Sequence, residues 1–148
     1  MSQVFLDPVD AANLDGYSQL IERPMNIRKA RTLYTKARNR PNNNPEQRDL
    51  KAIRVFMEDL ALVFRNAEMY GSPEVRSDKQ ETVISLMARE CASYTYACYR
   101  AYLQDHVSAE VNAQVAAVFP KSLRGAEAWT RAVHMGAAAA GAAVSDAP

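Results

Sequence analysis

Apolar residues recur with helical spacing in several stretches of the chain, and segments rich in Asn, Pro and Gly separate them. The first helical stretch begins after Asn26, a residue suited to an N-cap, and ends before the segment 39–45. The second carries apolar residues from Leu50 to Ala67. It stops at Gly71, a residue compatible with a left-handed helix end, which Pro73 follows two positions later.

The third stretch is the longest, because no Gly or Pro occurs between Glu74 and Phe119. We expect Ser77 or Asp78 to cap its start. The helical signal weakens towards its end, and Ser108 is placed to cap a shorter helix after it. Long helices without strand-like alternation predict an all-α protein.

The inward faces of the three helical stretches predict a shared core. Cys91 and Cys98 lie two helical turns, or about 10 Å, apart, too far for a disulfide. We therefore expect two reduced thiols, and a buried stripe that also includes Tyr94 and Tyr102. The predicted core consists of Leu33, Phe56, Leu60, Val63, Phe64, Ile84, Met87, Cys91 and Tyr94.

Residues 6–26 are expected to form a long loop, because Pro8, Gly16 and Pro24 interrupt any helical period. The loop nevertheless carries many apolar side chains. Long loops with apolar content of their own tend to be packed and functional. This loop is therefore the first candidate for a binding element.

Composition narrows the class of protein. With 148 residues, 48% of them hydrophobic, the chain is sized for one globular domain. Its 18 basic and 17 acidic side chains give a net charge of +1, which does not favour a polyanion binder as a whole. The N-terminus lacks the pattern of a signal peptide and no apolar run reaches 18 residues, so we expect no membrane association.

One part of the chain is strongly basic, although the chain as a whole is nearly neutral. The window from Glu22 to Arg54 holds ten basic and three acidic residues. Such a patch could contact the phosphates of DNA or an acidic partner. The solvated face of an amphipathic helix is the more ordinary interpretation, because only Tyr34 is available for base stacking. The patch consists of Arg28, Lys29, Arg31, Lys36, Arg38 and Arg40.

Catalytic motifs are absent from the sequence. His106 and His134 are far apart, and there is no Gly-rich phosphate loop, nucleophile elbow or H-E-x-x-H segment. The neighbouring acids Glu58 and Asp59 point about 100° apart on a helix, which does not suit a catalytic pair. We therefore expect a protein that is not an enzyme and holds no metal and no cofactor.

Three groups of residues occur in a specific order: Phe5-x-x-Pro8-Val9-Asp10, Tyr17-x-x-Leu20-Ile21-x-x-Pro24-Met25-Asn26-Ile27, and Phe56-x-x-Asp59-x-x-Leu62-x-Phe64-x-Asn66-Ala67-x-x-Tyr70. Over residues 5–103 this order resembles the bromodomain, the four-helix acetyl-lysine reader of chromatin proteins. The resemblance implies a left-handed helical bundle with a long apolar first loop. It places helices at 26–38, 47–70 and 77–104, and the last interhelix loop at 71–76.

The resemblance also implies a pocket for acetyl-lysine at one end of the bundle. Tyr17 matches the loop tyrosine that holds a water, and Asn66 matches an Asn that organises the loop. Gly71 stands where an Asn would donate its amide to the acetyl carbonyl, a loss of about 1–3 kcal/mol. The Gly71 N–H or an extra water could compensate in part, and Gly71→Asn is expected to strengthen binding. The implied pocket consists of Phe5, Val9, Leu14, Tyr17, Asn66, Tyr70, Gly71, Arg76 and Ser77.

Two departures from the family bear on the fold. The apolar Trp-Pro-Phe shelf is reduced to Gln3-Val4-Phe5. Because the shelf stands at residues 3–5, we expect the bundle to lack the family's first helix. We expect residues 1–105 to form the bundle and residues 106–135 to be a helical extension that packs in the place of that helix, although a partner chain could also fill it. Residues 136–148, an Ala-rich tail, are expected to be disordered.

The resemblance implies a nuclear, chromatin-associated binding module whose recognition of acetyl-lysine is weak, altered or lost. Its expected partners are an acetylated histone or another acetylated protein, and other subunits of a chromatin complex. The alternative is a non-reader that assembles a nuclear complex, with the basic patch on protein or DNA. A helical nucleic-acid binder is a third possibility.

Overall fold

A computed structural model describes residues 3–119 of the chain. Within this range the protein is an all-α helical bundle without strands, and none of its helices is both long and apolar enough to cross a membrane. The last part of the helical extension expected at 106–135 and the disordered tail expected at 136–148 lie outside this range. The helices are α1 (Tyr17–Leu20), α2 (Ile27–Arg38), α3 (Pro45–Tyr70), α4 (Val83–Tyr102) and α5 (Ala109–Val118).

The starts of α2 and α3 follow from Asn side chains at their N-caps. Asn26 accepts a hydrogen bond from the backbone N–H of Lys29 at 2.8 Å, which confirms the predicted cap. α3 begins two residues earlier than expected, because Asn44 accepts from the N–H of Gln47 at 3.1 Å and Pro45 is tolerated in the first turn.

The start of α4 differs from the prediction by six residues. Neither Ser77 nor Asp78 caps it, because Asp78 accepts from the N–H of Gln80 and Lys79 has a φ of 55°, a left-handed conformation that interrupts a helix. The cap is Thr82, whose Oγ1 accepts from the N–H of Ser85 at 3.1 Å. The loop between α3 and α4 therefore spans residues 71–82 rather than 71–76.

α3 is the central helix, and α2, α4 and α5 all pack against it. Leu60, Val63 and Phe64 are buried as predicted, and Leu33, Phe56, Met87 and Cys91 are partly buried against the core. The packing of α3 against three helices explains why apolar residues occur on several of its faces.

The predicted inward face of α4 is wrong in part. Ile84 and Tyr94 are 45% and 39% exposed, and Tyr102 is also exposed. The two cysteines are free and only partly buried. The helix instead turns a stripe of mostly small residues inward, which permits a close approach to α3. That stripe consists of Ser85, Ala88, Ala92, Tyr96 and Tyr99.

α5 contributes to the same core. Ser108 caps it as expected, by accepting from the N–H of Val111 at 3.3 Å. Val115 is completely buried, and the Phe119 ring stacks on Tyr96 with centroids 5.5 Å apart. Tyr99 donates its hydroxyl to Asn112 Oδ1 at 2.6 Å, so a partly buried polar contact also joins α5 to α4.

Candidate functional site

A cavity of about 400 Å³ lies between the first loop, the C-terminal end of α3 and the N-terminal end of α4. Its volume is within the range of small-ligand sites. Most of its lining is apolar or aromatic. The lining residues are Val4, Phe5, Asp7, Val9, Leu14, Tyr17, Met25, Asn26, Val63, Asn66, Ala67, Tyr70, Gly71, Arg76, Thr82 and Ile84.

The first loop is fixed to α3 by polar contacts. Asn66 donates its side-chain amide to the carbonyl of Arg23 at 2.9 Å. The Arg23 guanidinium in turn donates to Asp59 Oδ1 at 2.8 Å. Tyr70 donates its hydroxyl to the carbonyl of Asp15 at 3.0 Å, which holds a second part of the loop. The cavity wall that the loop provides is therefore held to α3 at two points, Asp15 and Arg23.

Asp59 is an unusual member of these polar contacts between the first loop and α3, because its carboxylate is only 2% exposed. Burial raises its pKa above the ordinary value of 3.8, and the nearby Arg23 charge opposes that rise without cancelling it. The second oxygen, Oδ2, is buried and accepts no hydrogen bond within residues 3–119. The burial of this carboxylate therefore costs electrostatic free energy, which the contact with Arg23 offsets only in part.

Two aromatic pairs shape the cavity wall. Phe5 packs edge-on against Phe64 with ring centroids 5.7 Å apart, and Tyr17 packs edge-on against Tyr70 at 5.2 Å. Tyr17 is buried, and burial raises the pKa of its hydroxyl. The hydroxyl therefore stays protonated at neutral pH and remains a hydrogen-bond donor.

Gly71 closes the end of the cavity beside α4. α3 ends here as expected, but the φ of Gly71 is −87°, so the residue does not use the left-handed conformation that glycine permits. A β-carbon on Gly71 would overlap Thr82 Oγ1 and lie 2.8 Å from Ser85 Cβ. Glycine is needed here because α3 and α4 approach closely, not because of its backbone angles.

The backbone of Gly71 is also engaged. Its N–H donates to the carbonyl of Ala67 at 3.0 Å, and its carbonyl accepts from the N–H of Thr82 at 3.1 Å. The expectation that the Gly71 N–H is available to a ligand is therefore wrong. The side-chain space is filled by Thr82 rather than vacated, so Gly71→Asn would have to displace α4 before its amide could reach a ligand.

Eight of the nine residues predicted for the pocket line this one cavity. Ser77 does not, because it lines a neighbouring depression together with Asp15 and Val75. Arg76 reaches the cavity, and its guanidinium bonds Asp78 at 3.0 and 2.6 Å. The hydrogen bond from Arg76 lowers the pKa of Asp78, so this exposed pair stays ionised at neutral pH.

Several cavity residues were not predicted from sequence, among them Asp7, Asn26, Thr82 and Ile84. Asn26 was singled out only as a helix cap. Thr82 precedes the apolar run of α4, and that position is itself an N-cap signal that could have identified it. Ile84 was assigned to the core, but it lines the cavity instead.

Outside the cavity, the candidate sites are a metal site and the basic patch. Among residues 3–119 no group of three or more His, Cys, Asp or Glu side chains is arranged to hold a metal ion. In the basic patch, Arg28 is paired with Asp7 at 2.8 Å, and Lys29 Nζ donates to the carbonyl of Pro24. The other four members, Arg31, Lys36, Arg38 and Arg40, are exposed and form no ion pair within the described part of the chain.

Comparison with known proteins identifies the family of the chain. The family model described as Bromodomain matches residues 1–90, well over half of the chain. No curated protein and no solved structure shows significant similarity to the chain. The matched residues include the first loop, α2, α3 and the first turns of α4, which are the elements that enclose the cavity. The chain belongs to the bromodomain family.

Proposed function

We propose that this protein is a chromatin-associated module that binds acetylated lysine, with weaker or altered recognition. The observation that carries this proposal is the grouping of eight expected pocket residues around one apolar cavity. A histone tail or another acetylated protein is the proposed partner, and the nucleus is the proposed location. The proposed role is binding rather than catalysis.

The chemistry of the cavity favours an acetylated over a free lysine. Acetylation converts the charged ammonium into a neutral amide with a methyl group. An apolar cavity accepts the neutral group, whereas a buried unpaired ammonium would cost several kcal/mol. Asp7, an acid on the wall, is paired with Arg28 and does not supply a free counter-charge.

The same geometry argues for reduced affinity. Gly71 offers no side-chain amide, and its own N–H is used within α3. A buried carbonyl that loses an amide donor without a full replacement loses up to about 1–3 kcal/mol, which is about 5- to 150-fold in affinity. We therefore propose a weak reader rather than a tight one.

The test is isothermal titration of the full chain with a histone-tail peptide in acetylated and unmodified forms. We expect binding of the acetylated peptide only. Val9→Asp, which places a charge on the cavity wall, should weaken that binding by at least about tenfold. The matched control is Val75→Asp, because Val75 is a similarly exposed loop valine outside the cavity. Equal binding of both peptides, or equal effects of both variants, would contradict the proposal.

A second candidate function is a non-reader that assembles a nuclear complex through other subunits. The close contact of Gly71 with Thr82 supports it, because this contact excludes the amide side chain from the end of the cavity. The exposed arginines and lysine of the basic patch would then contact DNA or an acidic protein surface. The third possibility, a helical nucleic-acid binder, depends on the same patch.

We also propose that the segment after residue 105 completes the bundle in the way a further helix would. The burial of Val115 and Phe119 in the common core supports this role for α5. A bundle that depends on α5 should lose stability when these two side chains are truncated.

A further inference from the structure

We infer that the hydroxyl of Thr82 is the hydrogen-bond donor to the acyl carbonyl in this cavity, in place of the amide that Gly71 lacks. This inference rests on the proposed function, because it assigns a specificity-determining residue to the same cavity. Thr82 stands 11 positions after Gly71 in the sequence and belongs to a different helix.

The position of the hydroxyl is the first argument. Thr82 Oγ1 is the atom nearest to the point where a β-carbon on Gly71 would lie. Both residues line the cavity. A polar oxygen therefore occupies the space from which a side chain at position 71 would project towards a ligand.

The hydrogen-bonding capacity of Thr82 is the second argument. Oγ1 accepts the N–H of Ser85, which leaves the hydroxyl hydrogen to be donated. Within residues 3–119 this hydroxyl donates no hydrogen bond. The backbone of Thr82 is held on both sides, since its N–H donates to the Gly71 carbonyl and its carbonyl accepts from Leu86. The donor is thus preorganised, and binding requires little reordering.

The other polar groups of the cavity define the ligand class. Tyr70 and Arg76 already donate to Asp15 and Asp78, and the Asn66 amide is oriented by Arg23. Asp7 is paired with Arg28, and Asn26 accepts from Lys29 as a helix cap. Thr82 and Tyr17 are then the two hydroxyl donors on a wall that is mostly apolar. Such donors suit a neutral carbonyl oxygen, as in an acylated lysine, and they offer no counter-charge to a free ammonium.

The test compares Thr82→Asn with Thr82→Asp in titrations with the acetylated and unmodified peptides. Both side chains are good N-caps and have nearly the same shape. Only the Asn amide can donate a hydrogen at neutral pH. We expect Thr82→Asn and Thr82→Ser to bind the acetylated peptide within about threefold of wild type, and Thr82→Asp to lose about 5- to 150-fold. Thr82→Val, which keeps the shape of Thr but has neither a hydroxyl nor a charge, should show a similar loss, and an unchanged affinity in this variant would assign the effect of Thr82→Asp to its charge.

A control separates this effect from a change in helix charge. Ser108 caps α5 in the same way and lies outside the cavity, so Ser108→Asp makes a similar chemical change elsewhere. It should leave binding unchanged, and thermal melting should show every variant folded.

The possible outcomes distinguish the two claims. If wild type binds the acetylated peptide selectively and Thr82→Asp binds equally well, the role of Thr82 is wrong and the proposed function stands. Loss of binding in Thr82→Ser would also overturn that role, because Ser keeps the hydroxyl. If wild type does not prefer the acetylated peptide, the proposed function and the role of Thr82 both fail.

Discussion

The side-chain oxygen of Thr82 lies in the space that a β-carbon on Gly71 would occupy. This contact joins the end of α3 to the start of α4 at the wall of the cavity. It links two features that are separate in the sequence, a glycine in place of an amide residue and a threonine at a helix cap. Substitutions at either position should therefore affect both stability and binding.

Gly71→Ala should reduce the free energy of unfolding by about 1–3 kcal/mol, because the added methyl group overlaps Thr82 Oγ1 and crowds Ser85. Urea denaturation measures this change. In a Thr82→Ala background, where the overlapping oxygen is gone, the same substitution should cost less. Equal costs in both backgrounds would show that the contact with Thr82 is not the cause.

The buried carboxyl of Asp59 should give the stability a specific pH dependence. Its pKa is raised in the folded protein, so the folded state binds more protons than the unfolded state just above the ordinary value of 3.8. Its contribution to stability is complete below that value and is lost as the pH rises through the folded pKa.

Asp59→Asn removes this titration and nearly preserves the shape of the side chain. The stability of the variant relative to wild type should therefore improve as the pH rises from about 4 to about 7. Urea denaturation of both proteins at several pH values checks this. A difference that is constant, or that changes in the opposite direction, would show that Asp59 is not held with a raised pKa.

α5 should be required for stability, because Val115 is completely buried. Val115→Ala should lower the free energy of unfolding by about 2 kcal/mol, through two lost methyl groups and a residual cavity. Val83→Ala is the matched control, since Val83 is a helical valine that is 71% exposed. Similar effects of the two substitutions would argue against a structural role for α5.

The basic patch should determine any binding to DNA. Charge reversal at Arg31 and Lys36 should weaken binding to all duplex sequences alike and reduce its salt dependence, because phosphate contacts carry no base information. Reversal at Arg65 and Lys79, two exposed basic residues outside the patch, is the control. Fluorescence anisotropy at several salt concentrations measures both. An unchanged affinity for the patch variant would leave α2 as an ordinary solvated helix face.

Much of the fold and cavity could be predicted from the sequence, because the signals are local. The Asn26 cap, the end of α3 and the apolar first loop each depend on residues close together in the chain. The start of α4 could not be predicted, because Lys79 adopts a left-handed conformation that its residue type does not indicate. The inward face of α4 was also missed, because small residues such as Ala88 and Ala92 give a weaker apolar signal than Ile84 and Tyr94.

The position of Thr82 at the cavity wall could not be predicted from the sequence, for a related reason. Gly71 and Thr82 meet only through the packing of two helices, and no periodicity reveals which atom fills the space beside a glycine. Ser77 is the opposite case, because its place in the sequence predicts a pocket residue but it lies outside the cavity. Contacts between elements, rather than patterns within them, decided both positions.

The central claim is that the cavity between the first loop and the ends of α3 and α4 accepts an acetylated lysine. Nuclear magnetic resonance titration of the isotope-labelled chain with acetylated and unmodified forms of one peptide tests it most directly. We predict saturable shifts of the backbone amides of Tyr17, Gly71 and Thr82 with the acetylated peptide alone. Identical shifts with both peptides, or shifts confined to α2, would contradict the claim.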